Sequence, residues 1–294
     1  MAEGPPPVLV TFSSYQLRTE SRGFEALAAL HEQIDTHSAK QIAIDCGKLH
    51  WFDAHLAAPL RTVLSHGQSR SNSFRLVGLK PEVHLALRKN RLLNQHADDS
   101  FHTSIPVTLF RLDEEITFAE YSRKHLARNE MPTMSAPLKS KFFEAIDELF
   151  ANCALHSQSP IHVVAAGQFY PRNHRLAFSI SDGGRGIDGS LKHAGIPYGN
   201  AADAINWAMT MNNTTRQGDI PGGLGLKLLC EFVGKNGGRL TIVSGSGYWC
   251  QNGSVVEKSV LRKRFPGTSV ILEISTSDKN KYDLARAPRP EDIW

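Results

Sequence analysis

Short apolar blocks alternate with helix-spaced apolar stripes along the first ~95 residues. Residues 8–12 (Val8 to Phe12) read as a strand. Phe24, Leu27, Leu30, His31 and Ile34 fall near helical spacing and predict a helix over 24–34. Residues 41–45 read as a short buried strand, 54–65 as a second helix, and 74–78 as a third strand ended by Gly78. Pro81 opens a helix through Leu87, proline being favoured in a first helical turn. Strands alternating with helices predict an α/β domain over residues 1–96.

Residues 97–136 read as a linker with a helix: a strand at 106–110, a mostly polar helix at 115–128 and a breaker-rich loop at 131–137. A second domain is expected over 137–280, with 281–294 as a tail. It opens on a long helix, 138–156, whose apolar stripe is Phe142, Ile146, Leu149, Phe150 and Cys153. Two strands follow, 161–169 and 175–181, joined by a turn from Pro171 to His174. From Asp182 to Gly223 the chain is rich in glycine, asparagine and threonine, and only 201–211 has a helical pattern. Such a stretch predicts a functional, easily opened segment that buries little apolar surface. A helix at 224–233, ended by Asn236 to Gly238, and strands at 239–244 and 268–274 with a basic hairpin between them complete the pattern.

Composition narrows the classes. With 294 residues, 41% apolar and 21% charged, the chain is an ordinary globular one of about two domains. No apolar run approaches the ~18 residues of a membrane span, and the first residues lack the pattern of a secretory signal. Cys46, Cys153, Cys230 and Cys250 form no Cys-x-x-Cys pair, so neither a zinc site nor a disulfide framework is expected, and a reduced cytoplasmic setting is. A net charge of +4 is too mild to argue for nucleic acid. Basic residues do gather at Arg61, Arg70, Arg75, Lys80, Arg88, Lys89 and Arg91, and at Lys258, Arg262, Lys263 and Arg264. Aromatics for base stacking are nearly absent beside the first group, which favours an acidic protein partner or a solvated face over nucleic acid.

Four separated motifs carry chemistry. Glu148 and Asn152 lie four apart on a helix and so share a face. A carboxylate can deprotonate a water, and an amide oxygen can ligate Mg2+. Asp182, Gly184, Gly186 and Ile187 follow a strand; the aspartate can accept from an exocyclic amine, and the glycines let backbone approach a ligand. Gly222, Gly223, Leu224 and Gly225 open a helix, whose N-terminus suits phosphates. Thr268 enters the last strand after Gly267. Gly184, Gly186 and Gly189 also match a dinucleotide fingerprint, but the glycines and proline of 190–199 argue against the helix that fingerprint needs.

In this order, over roughly residues 115–276, the motifs resemble the GHKL (Bergerat-fold) ATPases, which include gyrase-type and mismatch-repair ATPases, chaperones, histidine kinases and anti-sigma serine kinases. The resemblance implies an α+β two-layer sandwich that binds ATP with Mg2+. Glu148 would be the general base and Asn152 the Mg2+ ligand. Asp182 would contact the adenine amine, supported by Thr268 through a water. Gly184, Gly186 and Ile187 would shape the pocket, and Gly222, Gly223, Leu224 and Gly225 would line the phosphates. The stretch after Gly186 would be the ATP lid. Histidine kinases carry asparagine at the place of Glu148, so the hydrolysing and serine-kinase branches are the nearer ones.

Residues 6–95 resemble the STAS family of small α/β domains on softer grounds: Ile42 to Asp45, Phe52 to Leu56, and Leu76 to Val83. Where the phosphoswitch members of that family carry serine, this chain has Ala54 and His55. A binding or scaffold role follows from that departure. Together the resemblances imply a bacterial, cytoplasmic regulator: a slow, lid-gated ATP hydrolase whose nucleotide state controls a protein partner, itself STAS-like or another regulator. A protein serine kinase and a non-hydrolysing ATP-dependent binding switch are the alternatives, and a homodimer is compatible with either.

Overall fold

Residues 6–210 and 224–283 are described in the computed structural model of the chain. In chain order the elements are β1 (Val8–Thr11), β2 (Gln16–Leu17), α1 (Ser21–Asp35), β3 (Gln41–Asp45), β4 (Trp51–Phe52), α2 (Ala57–Ser69), β5 (Ser73–Val77), α3 (Pro81–Lys89), β6 (Ser104–Phe110), α4 (Glu115–Leu126) and β7 (Thr133–Met134). There follow α5 (Ala136–His156), β8 (Val163–Tyr170), β9 (Arg175–Asp182), α6 (Gly186–His193), α7 (Ala201–Ala208), α8 (Leu224–Asn236), β10 (Arg239–Ser244), β11 (Gly247–Asn252), β12 (Val255–Val260), β13 (Thr268–Ser275) and β14 (Lys281–Tyr282). Strands β1, β3 and β5 make a small parallel sheet in that order. A seven-stranded sheet runs β12-β11-β10-β13-β9-β8-β6 and is antiparallel throughout.

Strand parity decides where the cores lie, because successive side chains point to opposite faces. Val163 and Ala165 of β8, Phe178 and Ile180 of β9 and Leu272 and Ile274 of β13 close one core with Phe142, Ile146 and Phe150 of α5 and Phe232 of α8. The alternate residues Val164, Ala166, Val243 and Ile271 join a second core with Phe24 and Leu27 of α1 and Leu60 and Leu64 of α2. The N-terminal α/β unit is therefore a layer laid across the sheet. No helix among the described residues is long and apolar enough to cross a membrane.

Three expectations change. Residues 97–136 are not a linker: β6 pairs with β8 at the sheet edge, and Phe118 of α4 stacks on Phe150 of α5 with centroids 4.8 Å apart. Apolar Ile105 and Phe110, both fully buried, drive that strand into the sheet. The tail begins later than expected, since Lys281 and Tyr282 pair with Thr133 and Met134, and Tyr282 packs on Phe232. The stretch after Gly186, expected to bury little, forms α6 and α7 and buries Leu191, Ala201, Ala202, Ala204 and Ile205. Helix α7 lies so close to β11 that a Cβ on Gly247 would fall 2.4 Å from the Ala201 carbonyl oxygen. The remainder of the expected lid, residues 211–223 with Arg216, lies outside the described residues.

A buried polar cluster fastens the N-terminal layer to the sheet. Arg175 Nη1 donates to Glu273 Oε1 at 2.5 Å, and its Nη2 lies 3.6 Å from Asp53 Oδ1. Arg239 Nε lies 3.7 Å from Glu273 Oε2. His55 is wholly buried, one ring nitrogen 2.6 Å from Thr19 Oγ1 and the other 3.1 Å from the Tyr170 hydroxyl. Burial pushes its pKa down to about 4, so the ring is neutral, and neither nitrogen is open to a phosphoryl donor. His55 thus serves as a structural joint between the N-terminal layer and the sheet.

Removing the cation at the centre of this cluster should be expensive, because Asp53 and Glu273 would stay buried without it. Arg175→Met is expected to lower the unfolding free energy by about 3 kcal/mol, read as a fall in the urea midpoint with unchanged slope.

Candidate functional site

One end of the large sheet gathers the motif residues. Strand β9 ends at Asp182, which pairs with Thr268 at the start of β13; Thr268 pairs in turn with Ser244 at the end of β10. Helix α5 brings Cys153 to Asp182 and Glu148 to the first turn of α8, and α6 begins here at Gly186. Helix α5 starts two residues before its first expected position because Ser135 caps it, its Oγ accepting from Leu138 N.

Asp182 is the most unusual group in the site. Its carboxylate is buried, accepts from the Gly184 N–H at 2.8 Å, and is bonded by the Cys153 thiol and the Thr268 backbone. Burial dominates these bonds and pushes the carboxyl up to about 6 from the ordinary 3.8. The same burial, with the neighbouring carboxylate, raises the Cys153 thiol well above its usual range. An ionised carboxylate has roughly four acceptor sites, so capacity remains for a further donor.

Glu148 reaches the start of α8, where its Oε2 accepts from the Gly225 N–H at 2.9 Å. A carboxylate at a helix N-terminus is favoured by the dipole and satisfies one of the first free N–H groups. The approach is close: a Cβ on Gly225 would fall 2.4 Å from Glu148 Oε2 and 3.0 Å from the Ala145 Cα. Asn152, one turn along α5, is half-buried. Leu224 opens α8, while Gly222 and Gly223 lie outside the described residues. Lys227, on the same helix, lies 3.7 Å from Glu231.

The glycines have reasons within the chain itself. A Cβ on Gly184 would fall 2.1 Å from the Ser157 carbonyl oxygen, and one on Gly267, at φ +98°, 2.1 Å from the Asp182 carbonyl oxygen. Gly186 sits at φ +77° and starts α6. That helix was not expected after these glycines, yet no dinucleotide unit results. Strand β9 is antiparallel to both neighbours, whereas the fingerprint belongs to parallel βαβ units.

Sequence patterns did not point to Ser244 or Cys153. Ser244 Oγ accepts from Ile187 N at 2.7 Å and shares a 2.9 Å hydrogen bond with Thr268 Oγ1, so it ties the start of α6 to β13. Only the β10–β13 register reveals it. Arg264 holds Asp188 through bonds of 2.7 and 3.2 Å, Lys263 pairs with Glu32, and Lys258 with Asp203. The basic hairpin is thereby matched by carboxylates of the chain, which lessens its case as a nucleic-acid surface. No model of a known protein family matches the chain, and no curated protein matches its sequence.

The raised Asp182 carboxyl makes a signed stability prediction. The folded state holds this proton more tightly than the ordinary 3.8 allows, so the group's contribution is fully present below that value and lost as pH rises through about 6. Asp182→Asn removes the cost of ionising a buried group. The variant is expected to be more stable than the parent by roughly 2–3 kcal/mol at about pH 7.5, the gain shrinking toward zero near pH 4. Denaturant titrations at the two pH values check it.

Proposed function

We propose that the chain is a Mg-ATP-binding regulatory protein of the GHKL class, with a STAS-like N-terminal layer, and that it hydrolyses ATP slowly under control of a lid. Its nucleotide state controls a protein partner. The observation that carries this reading is Asp182: a buried carboxylate at the end of a central strand, at a cost in stability, with acceptor capacity to spare. Perturbed groups of this kind concentrate at functional sites. The donors and acceptors around it fit the ligand. Asp182 accepts from the adenine amine, and Thr268 and Ser244 hold the strand ends that fix its position. The Gly225 N–H lies at a helix N-terminus, where an anion is favoured. Asn152 presents an amide oxygen for Mg2+, which would neutralise phosphate charge.

Glu148 has two duties in this reading. In the ligand-free form its Oε2 satisfies the Gly225 N–H. During turnover it leaves that donor to the phosphates and takes the proton of the attacking water on the same carboxylate. The exchange couples base and phosphate site, because one N–H serves both.

Two measurements test the proposal. Calorimetry with Mg2+ is expected to give ATP at least about tenfold tighter binding than GTP, since guanine sets a carbonyl against the Asp182 carboxylate. Asp182→Asn should abolish that preference while stabilising the free protein. Glu148→Ala should bind ATP as tightly as the parent or a few-fold tighter, because Gly225 N–H is released, and should release phosphate roughly 10²–10⁴-fold more slowly. Equal ATP and GTP affinities, or an unaffected Asp182→Asn variant, would overturn the assignment. Phosphate transfer to a serine of a STAS-like protein, in place of release, would identify a kinase using the same residues.

A further inference from the structure

Helices α1 and α2 approach closely at Gly67, where a Cβ would fall 2.5 Å from Ile34 Cγ2 and 2.5 Å from Phe74 Cζ. Beside this contact three half-buried ligand-type side chains meet. His31 and Asp35 stand four apart on α1 and share a face. His66 precedes Gly67 on α2. One ring nitrogen from each histidine and one Asp35 carboxylate oxygen lie within 4.8 Å of one another. The two rings stand edge to face, 4.9 Å between centroids and 85° between planes.

The histidine pair is not explained by hydrogen bonding. Nδ1 of His31 and Nδ1 of His66 are both buried and lack a partner among the described residues. Buried polar atoms in folded proteins are overwhelmingly paired, so two orphans on facing rings call for a reason. Neutral imidazoles are also what a metal needs. Burial, and then the neighbouring His66, push His31 down to about 4, and burial lowers His66, so both rings keep a lone pair at neutral pH.

We propose that His31, His66 and Asp35 form a binding site for a divalent first-row transition metal, Zn2+ by preference, that clips α1 to α2. Two imidazoles and a carboxylate are ligands of that class, and three protein ligands leave a fourth position for water. Zn2+ bonds of about 2.0–2.2 Å place donor atoms roughly 3.4 Å apart, so the side chains close in by about 1 Å or a little more. The helix contact at Gly67 holds their backbones in place for that adjustment. Arg70 competes for Asp35, its Nη1 lying 3.3 Å from Oδ1, but both side chains are 43% exposed and such pairs are weak. The site is separate from the sheet end that holds Asp182, and its fate does not bear on the nucleotide proposal.

The probes are Zn2+ and Co2+ as their chlorides, with the full chain treated first with chelator. Calorimetry is expected to show one equivalent of Zn2+ bound, with affinity lowered at least about tenfold in His31→Gln and in His66→Gln. Zn2+ should raise the melting midpoint of the parent and leave that of His66→Gln unmoved, since a ligand stabilises only the fold that binds it. Should a glutamine variant fail to fold, the parent alone decides: Co2+ must develop the intense visible bands of a low-coordinate site, and excess Zn2+ must erase them. Absence of stoichiometric binding would overturn the proposal. So would undiminished binding in both variants, which would place the metal on others of the chain's 13 histidines.

Discussion

Because Val163 and Ala165 of β8 face one way and Val164 and Ala166 the other, the seven-stranded sheet must be covered on both sides. Helices α4, α5 and α8 cover one face, and α1 and α2 of the N-terminal layer cover the other. The second cover is partly polar. Thr62 and Ser65 of α2, and Ser179, Ser181 and Ser269 of the strands, are buried with hydroxyls that lack a partner among the described residues. Arg175, Glu273, Asp53 and Arg239 add charge at its rim. The ion-pair network of that rim crosses the joint beside its apolar core, so single substitutions in it can be severe.

The same two-sided burial explains Asp182. The last residue of a central strand inherits the dryness of the sheet, and here it is a carboxylate. Its bonds from Gly184 and Cys153 do not offset the loss of water, and the carboxyl rises to about 6. An amide side chain, which keeps an oxygen for the Gly184 N–H, avoids the cost of ionising a buried group. That imbalance, more than any single contact, makes the sheet end the candidate functional site of the fold.

Much of this was legible in the chain. Residues 41–45 and 239–244 are strands with the bounds that their apolar blocks and flanking breakers predict. The motif order singled out Glu148, Asp182, Gly225 and Thr268 as candidates, and the fold brings Glu148 to Gly225 and Asp182 to Thr268. What failed has physical causes. Pro106 made β6 look like part of a connector, but a proline is tolerated on an edge strand, which is where β6 lies. Helix α6 contains Gly186 and Gly189 and is weak by propensity; Ser244 Oγ on the Ile187 N–H and Arg264 on Asp188 hold its first turn. Such partners are distant in sequence and enter only with strand register. The docking of His55 between Thr19 and Tyr170 was invisible for the same reason.

The role proposed for the buried carboxylate at the end of β9 is that of an adenine receptor. A crystal structure of the full chain with a non-hydrolysable ATP analogue and Mg2+ tests it most directly. The account predicts the adenine amine within hydrogen-bond distance of Asp182 and the Gly225 N–H turned from Glu148 to a phosphate oxygen. An analogue bound elsewhere, or none bound at saturating concentration with Glu148 still on Gly225, would contradict it.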